Sequence, residues 1–215
     1  MALYSGSTFG KIKGKIGDDV AYTVGGQKVI RKHNDSPNDP KTDAQVFQRD
    51  SLALVVGFFR KASPAINAGF VERKPIHSAY NLFTSLAIKE AVIDNAGSPA
   101  IDFSLLRIAK GSLQPLAGCT VAKSGTNSFT ISETSKADGF NGFDTDKLNV
   151  LVVDPATGDA VSILAFGERK QKTFTINTPS TLNTENAQFF MFYTSADGKK
   201  ASDSVSATVP AAPKV

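Results

Sequence analysis

The sequence predicts an α+β protein in which an N-terminal β-meander and two helices are followed by an antiparallel β-sandwich. Three observations predict it. Short β-rich runs separated by glycine turns occupy residues 9–32. Two stretches with apolar residues three or four apart follow, each with a start and a stop signal. From residue 100 onward, short apolar runs recur between Gly, Asp, Asn and Pro turn signals.

The meander comes first. Lys11–Ile16 alternates basic and apolar residues, Val20–Val24 follows a Gly17-Asp18-Asp19 turn, and Lys28–Arg31 follows Gly25-Gly26. Paired glycines between β-rich runs mark a tight hairpin, because the favoured turns need positive φ. Residues 33–41, with two prolines, two asparagines and two aspartates, read as a loop. Thr42-Asp43-Ala44-Gln45 fits a capping box, so the spacing predicts a helix from there to about Ala62, where Ser63-Pro64 interrupts. Phe47, Leu54, Val55 and Phe58 fall near one face of it. A connection containing Gly69 and Pro75 leads to a second predicted helix, Ser78 to Ile93, with Asn95-Ala96-Gly97-Ser98-Pro99 as its stop.

The β-region offers eight candidate strands: Ile101–Ile108, Cys119–Lys123, Ser128–Glu133, Leu148–Asp154, Ala160–Phe166, Lys172–Asn177, Ala187–Thr194 and Ala201–Val209. Strands of this number and spacing argue for an immunoglobulin- or fibronectin-like sandwich. The expected organisation is a basic hairpin-and-helix domain over 1–98, a sandwich over 99–209 and a tail over 210–215. The tail, Pro-Ala-Ala-Pro-Lys-Val, cannot be a central strand.

At 215 residues, 41% hydrophobic and 20% charged, the chain is ordinary globular material with enough length for its own core. Residues 1–110 hold 15 basic against 10 acidic side chains, and residues 111–215 hold 9 against 10. The positive excess thus lies in the first half, where it could face nucleic acid, an acidic protein or solvent. A single cysteine, Cys119, forms no internal disulfide. The 15 phenylalanines, with no tryptophan, read as core filler. The first ten residues lack the pattern of a secretory leader, and no apolar run is long enough to span a membrane. A cytoplasmic location, or export by a route without a classical leader, is expected.

Motifs for chemistry are weak. Gly10-Lys11-Ile12-Lys13-Gly14-Lys15 has three residues between its glycines and Ile16 after the lysine, where a phosphate loop needs four and Ser or Thr. Asp144-Thr145-Asp146 opens like a calcium loop, but Asn149 and Pro155 stand where Gly and Glu are required. With His33, His77 and Cys119 as the only imidazoles and thiol, no zinc spacing exists. A Cys119–His77 nucleophile pair is outweighed by the apolar strand beside Cys119, the setting of an inert thiol. No cofactor, metal site or catalytic residue is expected. The candidate contact set is Lys11, Lys13, Lys15, Lys28, Arg31 and Lys32. Period-2 alternation puts residues 11, 13 and 15 on one strand face, which Lys28 and Lys32 could join from a neighbouring strand. Edge lysines that discourage strand pairing explain the same residues.

Gly10-Lys11 through Gly14-Lys15-Ile16-Gly17, then Asn38-Asp39-Pro40-Lys41-Thr42-Asp43-Ala44-Gln45 and Gln48-Arg49, resemble an uncharacterised family from Bacteroidota and their phages. Its signature is a G-K-x-x-G-K-x-G start and an N-P-x-T-x-A-Q-x-x-Q-R phrase. Asp39 is an insertion relative to that phrase. The segment from Phe192 to Ser204 resembles the same family. A looser similarity links the glycine-basic start, the helix start and the sandwich to phage virion proteins. The resemblance implies a non-enzymatic structural protein of a phage particle, with a virion location, in a multimeric assembly with other protein subunits. The alternatives are a nucleic-acid-binding protein using the basic meander and a surface module for glycan or protein.

Overall fold

A computed structural model describes residues 2–3, 12–36, 39–184 and 186–209. The chain forms two compact units, residues 1–42 and 43–215.

The first unit is a four-stranded antiparallel sheet of β1 (Ala2–Leu3), β2 (Gly14–Ile16), β3 (Asp19–Val24) and β4 (Gln27–Lys32), in the order β1-β4-β3-β2. Val24 pairs with Gln27 across Gly25 and Gly26, whose φ angles are 56° and 81°. Positive φ at both positions is the type I′ geometry that follows strand twist, as the paired glycines predict. Residues 9–11 and the 210–215 tail lie outside the described residues.

The second unit opens with α1 (Asp43–Gly69), 27 residues and roughly 40 Å long. It begins where the capping phrase predicts but does not stop at Ala62. Pro64 sits inside it on an exposed turn. Ala65, Ile66 and Gly69 beyond Pro64 are fully buried, and their burial outweighs the one backbone bond that proline removes. Gly69 is required by close approach: a Cβ there would strike the Ile108 carbonyl and lie 2.6 Å from the Ala109 Cβ.

The second helix, α2 (Ala79–Glu90), starts at Ser78, whose hydroxyl accepts the Asn81 N–H at 3.1 Å. It ends three residues before the expected Ile93. The chain instead forms a hairpin of β5 (Val92–Asn95) and β6 (Ser98–Ile101), turning through Ala96 (φ 51°) and Gly97 (φ 86°). The β-branched pair Val92-Ile93 favours this strand over another helical turn. The strand expected over Ile101–Ile108 ends at Ile101. Asp102 accepts the Ser104 N–H at 2.8 Å, a local turn, and Leu106, Ile108 and Ala109 then enter the core as irregular chain.

Among the described residues, seven strands follow: β7 (Thr120–Lys123), β8 (Ser128–Ser132), β9 (Lys147–Val153), β10 (Ala160–Ile163), β11 (Thr173–Asn177), β12 (Gln188–Thr194) and β13 (Val205–Thr208). They form two antiparallel sheets, β11-β8-β7 and β10-β9-β12-β13. This is an immunoglobulin/fibronectin-like sandwich, and with the two helices it makes the predicted α+β class.

The middle sheet works on both faces. Leu148, Val150, Val152, Phe189, Met191 and Tyr193 join the core between the sheets. Leu151, Val153, Phe190 and Phe192 join a second core under α1 and α2. This double burial accounts for the unbroken apolar runs of β9 and β12. It also explains why the compact units divide after Thr42 rather than at the expected 98/99 position: the helices supply half the cover of the sandwich's own central strands.

Candidate functional site

The basic set does not converge. Lys15 is paired across the sheet with Val20, and Val20 with Arg31, so Lys15 and Arg31 share one face. Lys28 and Lys32 stand opposite Thr23 and Asp19 on the other. The face expected to unite Lys15 with Lys28 and Lys32 therefore does not exist, because β4 is one residue out of phase with it. Lys13 precedes β2, and Lys11 lies outside the described residues. The charges are also partly engaged. Lys15 meets Asp35 at 3.2 Å, the same carboxylate lies 3.4 Å from the His33 imidazole, and the Arg31 guanidinium lies 6.0 Å from the centre of the Tyr22 ring.

A second group, which sequence reasoning did not single out, closes one end of the sandwich. Arg169 is fully buried with Asp146, 3.4 Å away. Its guanidinium stacks 3.9 Å from the centre of the Tyr193 ring and donates to the Gln114 carbonyl at 2.6 Å. The Tyr193 hydroxyl donates to Glu133 at 2.7 Å, Ser135 donates to the other Glu133 oxygen at 2.5 Å, and Lys172 lies 3.5 Å from Glu133. Burial, and then the Glu133 bond, push the Tyr193 phenol well above its ordinary range. The three buried charges, Arg169, Asp146 and Glu133, each have a partner within the group, although the Arg169 Nε and Nη1 atoms make no hydrogen bond, and the group acts as a clamp. Cys119 faces the Met191 sulfur at 3.3 Å, and burial with the Glu133 charge raises its thiol to about 11. A thiol at that value is protonated at neutral pH and not nucleophilic.

The clamp supports a loop over residues 136–146. Gln114 holds it at three points, donating from its backbone to Asn141 (2.8 Å) and from its side chain to Lys136 (2.9 Å), and accepting from Asp138 (3.2 Å). Asp138 accepts the backbone N–H groups of Phe140, Asn141 and Gly142 at 2.7–2.9 Å, which hold its carboxyl below the usual range. Asp146 accepts the Phe143 N–H at 2.9 Å, so the sequence resembling a calcium-loop start is a turn tied inward to Arg169. At the tip of this braced loop Phe140 is 81% exposed, and Phe143 is 45% exposed. These two and Phe166, also 45% exposed, depart from the expected core role. The usable signal was an aromatic residue inside Asp138-Gly139-Phe140-Asn141-Gly142, where turn residues leave nothing to cover it.

Two hollows lie on the surface of the second unit. One, of about 460 Å³, is lined by Leu54, Gly57 and Phe58 of α1, Ile101 of β6, Phe103, and Pro155 in the β9–β10 turn. Lys61 closes its edge through Asp159 at 2.9 Å and the Thr157 carbonyl at 3.1 Å. The other, of about 520 Å³, has Phe70, Leu82 and Leu86 as its floor and Glu72 and Lys110 among its lining. Glu72 there is occupied with the Ser112 and Ala201 N–H groups at 2.9 and 3.0 Å. Among the described residues, no group of three or more His, Cys, Asp or Glu side chains is arranged to hold a metal ion, and no helix is long and apolar enough to cross a membrane.

Among solved structures, the fibronectin type III domain of human collagen alpha-1(XX) chain is similar at 19% identity. The match covers 48% of this chain and 90% of that domain, with a TM-score of 0.32. No curated protein matches. The sequence from residue 10 to residue 207 matches the model of DUF6266, a family of unknown function, and the chain belongs to that family.

Proposed function

We propose that this protein is a structural, non-enzymatic component of a larger protein assembly, acting through protein–protein contacts. The carrying observation is Phe140, an aromatic side chain 81% exposed on a loop whose backbone Asp138 ties at three N–H groups. A mobile exposed phenylalanine can fold back onto the surface. One held outward by Asp138 and Gln114 costs solubility and contributes nothing to folding. Rigid aromatic anchors are the residues that dominate protein interfaces, because little rotamer entropy is lost on docking. The resemblance to phage-associated proteins makes a virion the setting of choice.

The nucleic-acid reading receives less support, since Lys15 and Arg31 lie on one face of a small sheet and Lys28 and Lys32 on the other, an arrangement that does not favour one phosphate track.

Fractionation of the native source by size tests the proposal. The chain is expected to sediment with large particles and to leave them when Phe140 is replaced by Ser. A chain that stays at low mass, and is retained on DNA in a salt-dependent way, would replace this reading with the nucleic-acid one.

A further inference from the structure

The hollow beside the C-terminal end of α1 holds one charge that is already committed and one that has no partner among the described residues. Its floor is apolar: Phe70, directly after α1, is buried, and Leu82 and Leu86, four residues apart on α2, pack against the same core. Its ionisable lining is Glu72 and Lys110. One Glu72 oxygen accepts the Ser112 and Ala201 N–H groups at 2.9 and 3.0 Å. The chain passes so close at Gly111 that a Cβ there would lie 2.6 Å from the same oxygen. Burial raises the Glu72 carboxyl, but these two N–H bonds, the Ser112 hydroxyl and the Lys200 charge outweigh it and hold the group below the usual carboxylate range. Glu72 thus stays ionised and spends its charge on the backbone around it. Lys110 differs. Among the described residues its ammonium makes no ion pair and no side-chain hydrogen bond, and the Ser85 hydroxyl, on the same side of α2 as Leu82, makes none either.

We propose that this hollow binds a small amphipathic carboxylate, with its alkyl chain on Phe70, Leu82 and Leu86 and its headgroup on the Lys110 ammonium and the Ser85 hydroxyl. The ligand class follows from the lining. A volume of about 520 Å³ lies within the range of small-molecule sites, and an apolar floor with a few polar groups at its edge is their usual composition. A single lysine supplies one compact positive charge, which matches a monoanion. A phosphate or sulfate group would call for an arginine fork or a set of free backbone N–H groups. The N–H groups of Gly111, Ser112 and Ala201 are already taken by Asp203 and Glu72. A neutral hydrocarbon would draw water away from Lys110 and give it no partner in return. An ammonium ligand would meet Lys110 as a like charge. The proposal does not rest on the assembly reading.

Titration of the full chain with sodium octanoate, octanol and octylamine, followed by calorimetry and amide-resolved NMR, tests it. Octanoate is expected to saturate with a dissociation constant of roughly 0.1 mM and to shift the amide signals of Gly111, Ser112 and the 82–86 stretch of α2. Octylamine should bind about tenfold more weakly. Lys110→Gln should weaken octanoate by about three- to tenfold and leave octanol within about twofold of its wild-type affinity, since only the carboxylate uses the charge. Ser85→Phe, which fills the hollow from an exposed position on α2, should weaken both by more than about tenfold. Circular dichroism confirms that each variant is folded.

An octanoate titration that does not saturate at millimolar concentration overturns the proposal. So does octylamine binding as tightly as octanoate, or octanoate affinity unchanged in Lys110→Gln. Signals that shift only outside the hollow, or a Ser85→Phe variant that binds like the wild type, would place the ligand elsewhere and end the proposal as well.

Discussion

Arg169 carries its charge into the interior because several partners meet it there: Asp146, the Gln114 carbonyl and the face of Tyr193. Removing one member of a buried ion pair strands the other, so Arg169→Met is expected to lower stability by about 3–5 kcal/mol in urea unfolding. The Arg169→Met, Asp146→Leu double variant should recover part of that loss, because neither charge is then left unpaired. On the rim of the same clamp, Lys170 first, and then Lys147, lower Glu168 from 4.5 to about 2. A carboxyl depressed in the folded state adds stability above its unfolded value and loses it as pH falls toward the folded one. Melting temperature should therefore fall between about pH 4.5 and 2, and Glu168→Gln should flatten that part of the profile. Apart from Lys170 with Glu168, two residues away, none of these pairings was legible in the sequence, since each joins residues from distant segments and depends on where the strands place them. Phe140 was visible as an aromatic among turn formers, but composition alone assigned it to the core.

At the scale of elements, local chemistry was legible wherever the turn or cap is complete in itself. Gly25-Gly26 specifies its hairpin, and Ser78 specifies the start of α2 through one bond to Asn81. The errors arose where tertiary burial overrides a local signal. Pro64 reads as a helix stop, yet α1 continues because Ala65, Ile66 and Gly69 are needed in the core. The helix thus carries one missing backbone bond, opposite Arg60. Pro64→Ala restores an N–H at that position and is expected to stabilise the protein by about 2 kcal/mol, after the loss of proline's restraint on the unfolded chain is subtracted. A denaturant midpoint that moves down instead would mean that proline's fixed φ is worth more to this helix than the missing bond. The β5–β6 hairpin was hidden for a different reason: Ala96, at the first turn position with φ 51°, replaces the Asn or Gly that would have announced it.

For the whole molecule, the α+β class and the sandwich could be read from the spacing of turns and apolar runs, whereas the grouping of the parts could not. The change from helical to strand-like patterning near residue 98 suggests two domains, but Leu151, Val153, Phe190 and Phe192 are covered by the helices that precede it. A fragment over 43–209 is therefore expected to be soluble and to unfold in one transition. A fragment over 99–209 would expose that four-residue apolar face and is expected to aggregate. Light scattering of the two fragments, side by side, checks both statements.

The double-sided burial of β9 and β12 has a consequence for how these strands find their alignment. Where one sheet face is wet, sliding a strand by a single residue turns its apolar side chains into water, and that penalty selects the correct frame. Here both faces are dry, so a shifted β12 would exchange Phe189 for Phe190 with little change in solvation. The correct frame must be chosen by groups that tolerate only one partner: Asn149 bridging Thr194 at 2.9 Å and Ala165 at 2.9 Å, the Tyr193 N–H on the Ser202 hydroxyl at 2.9 Å, and the Tyr193 phenol on Glu133. Replacing Asn149 with Leu would leave the strand greasy enough to fold and take away its ruler.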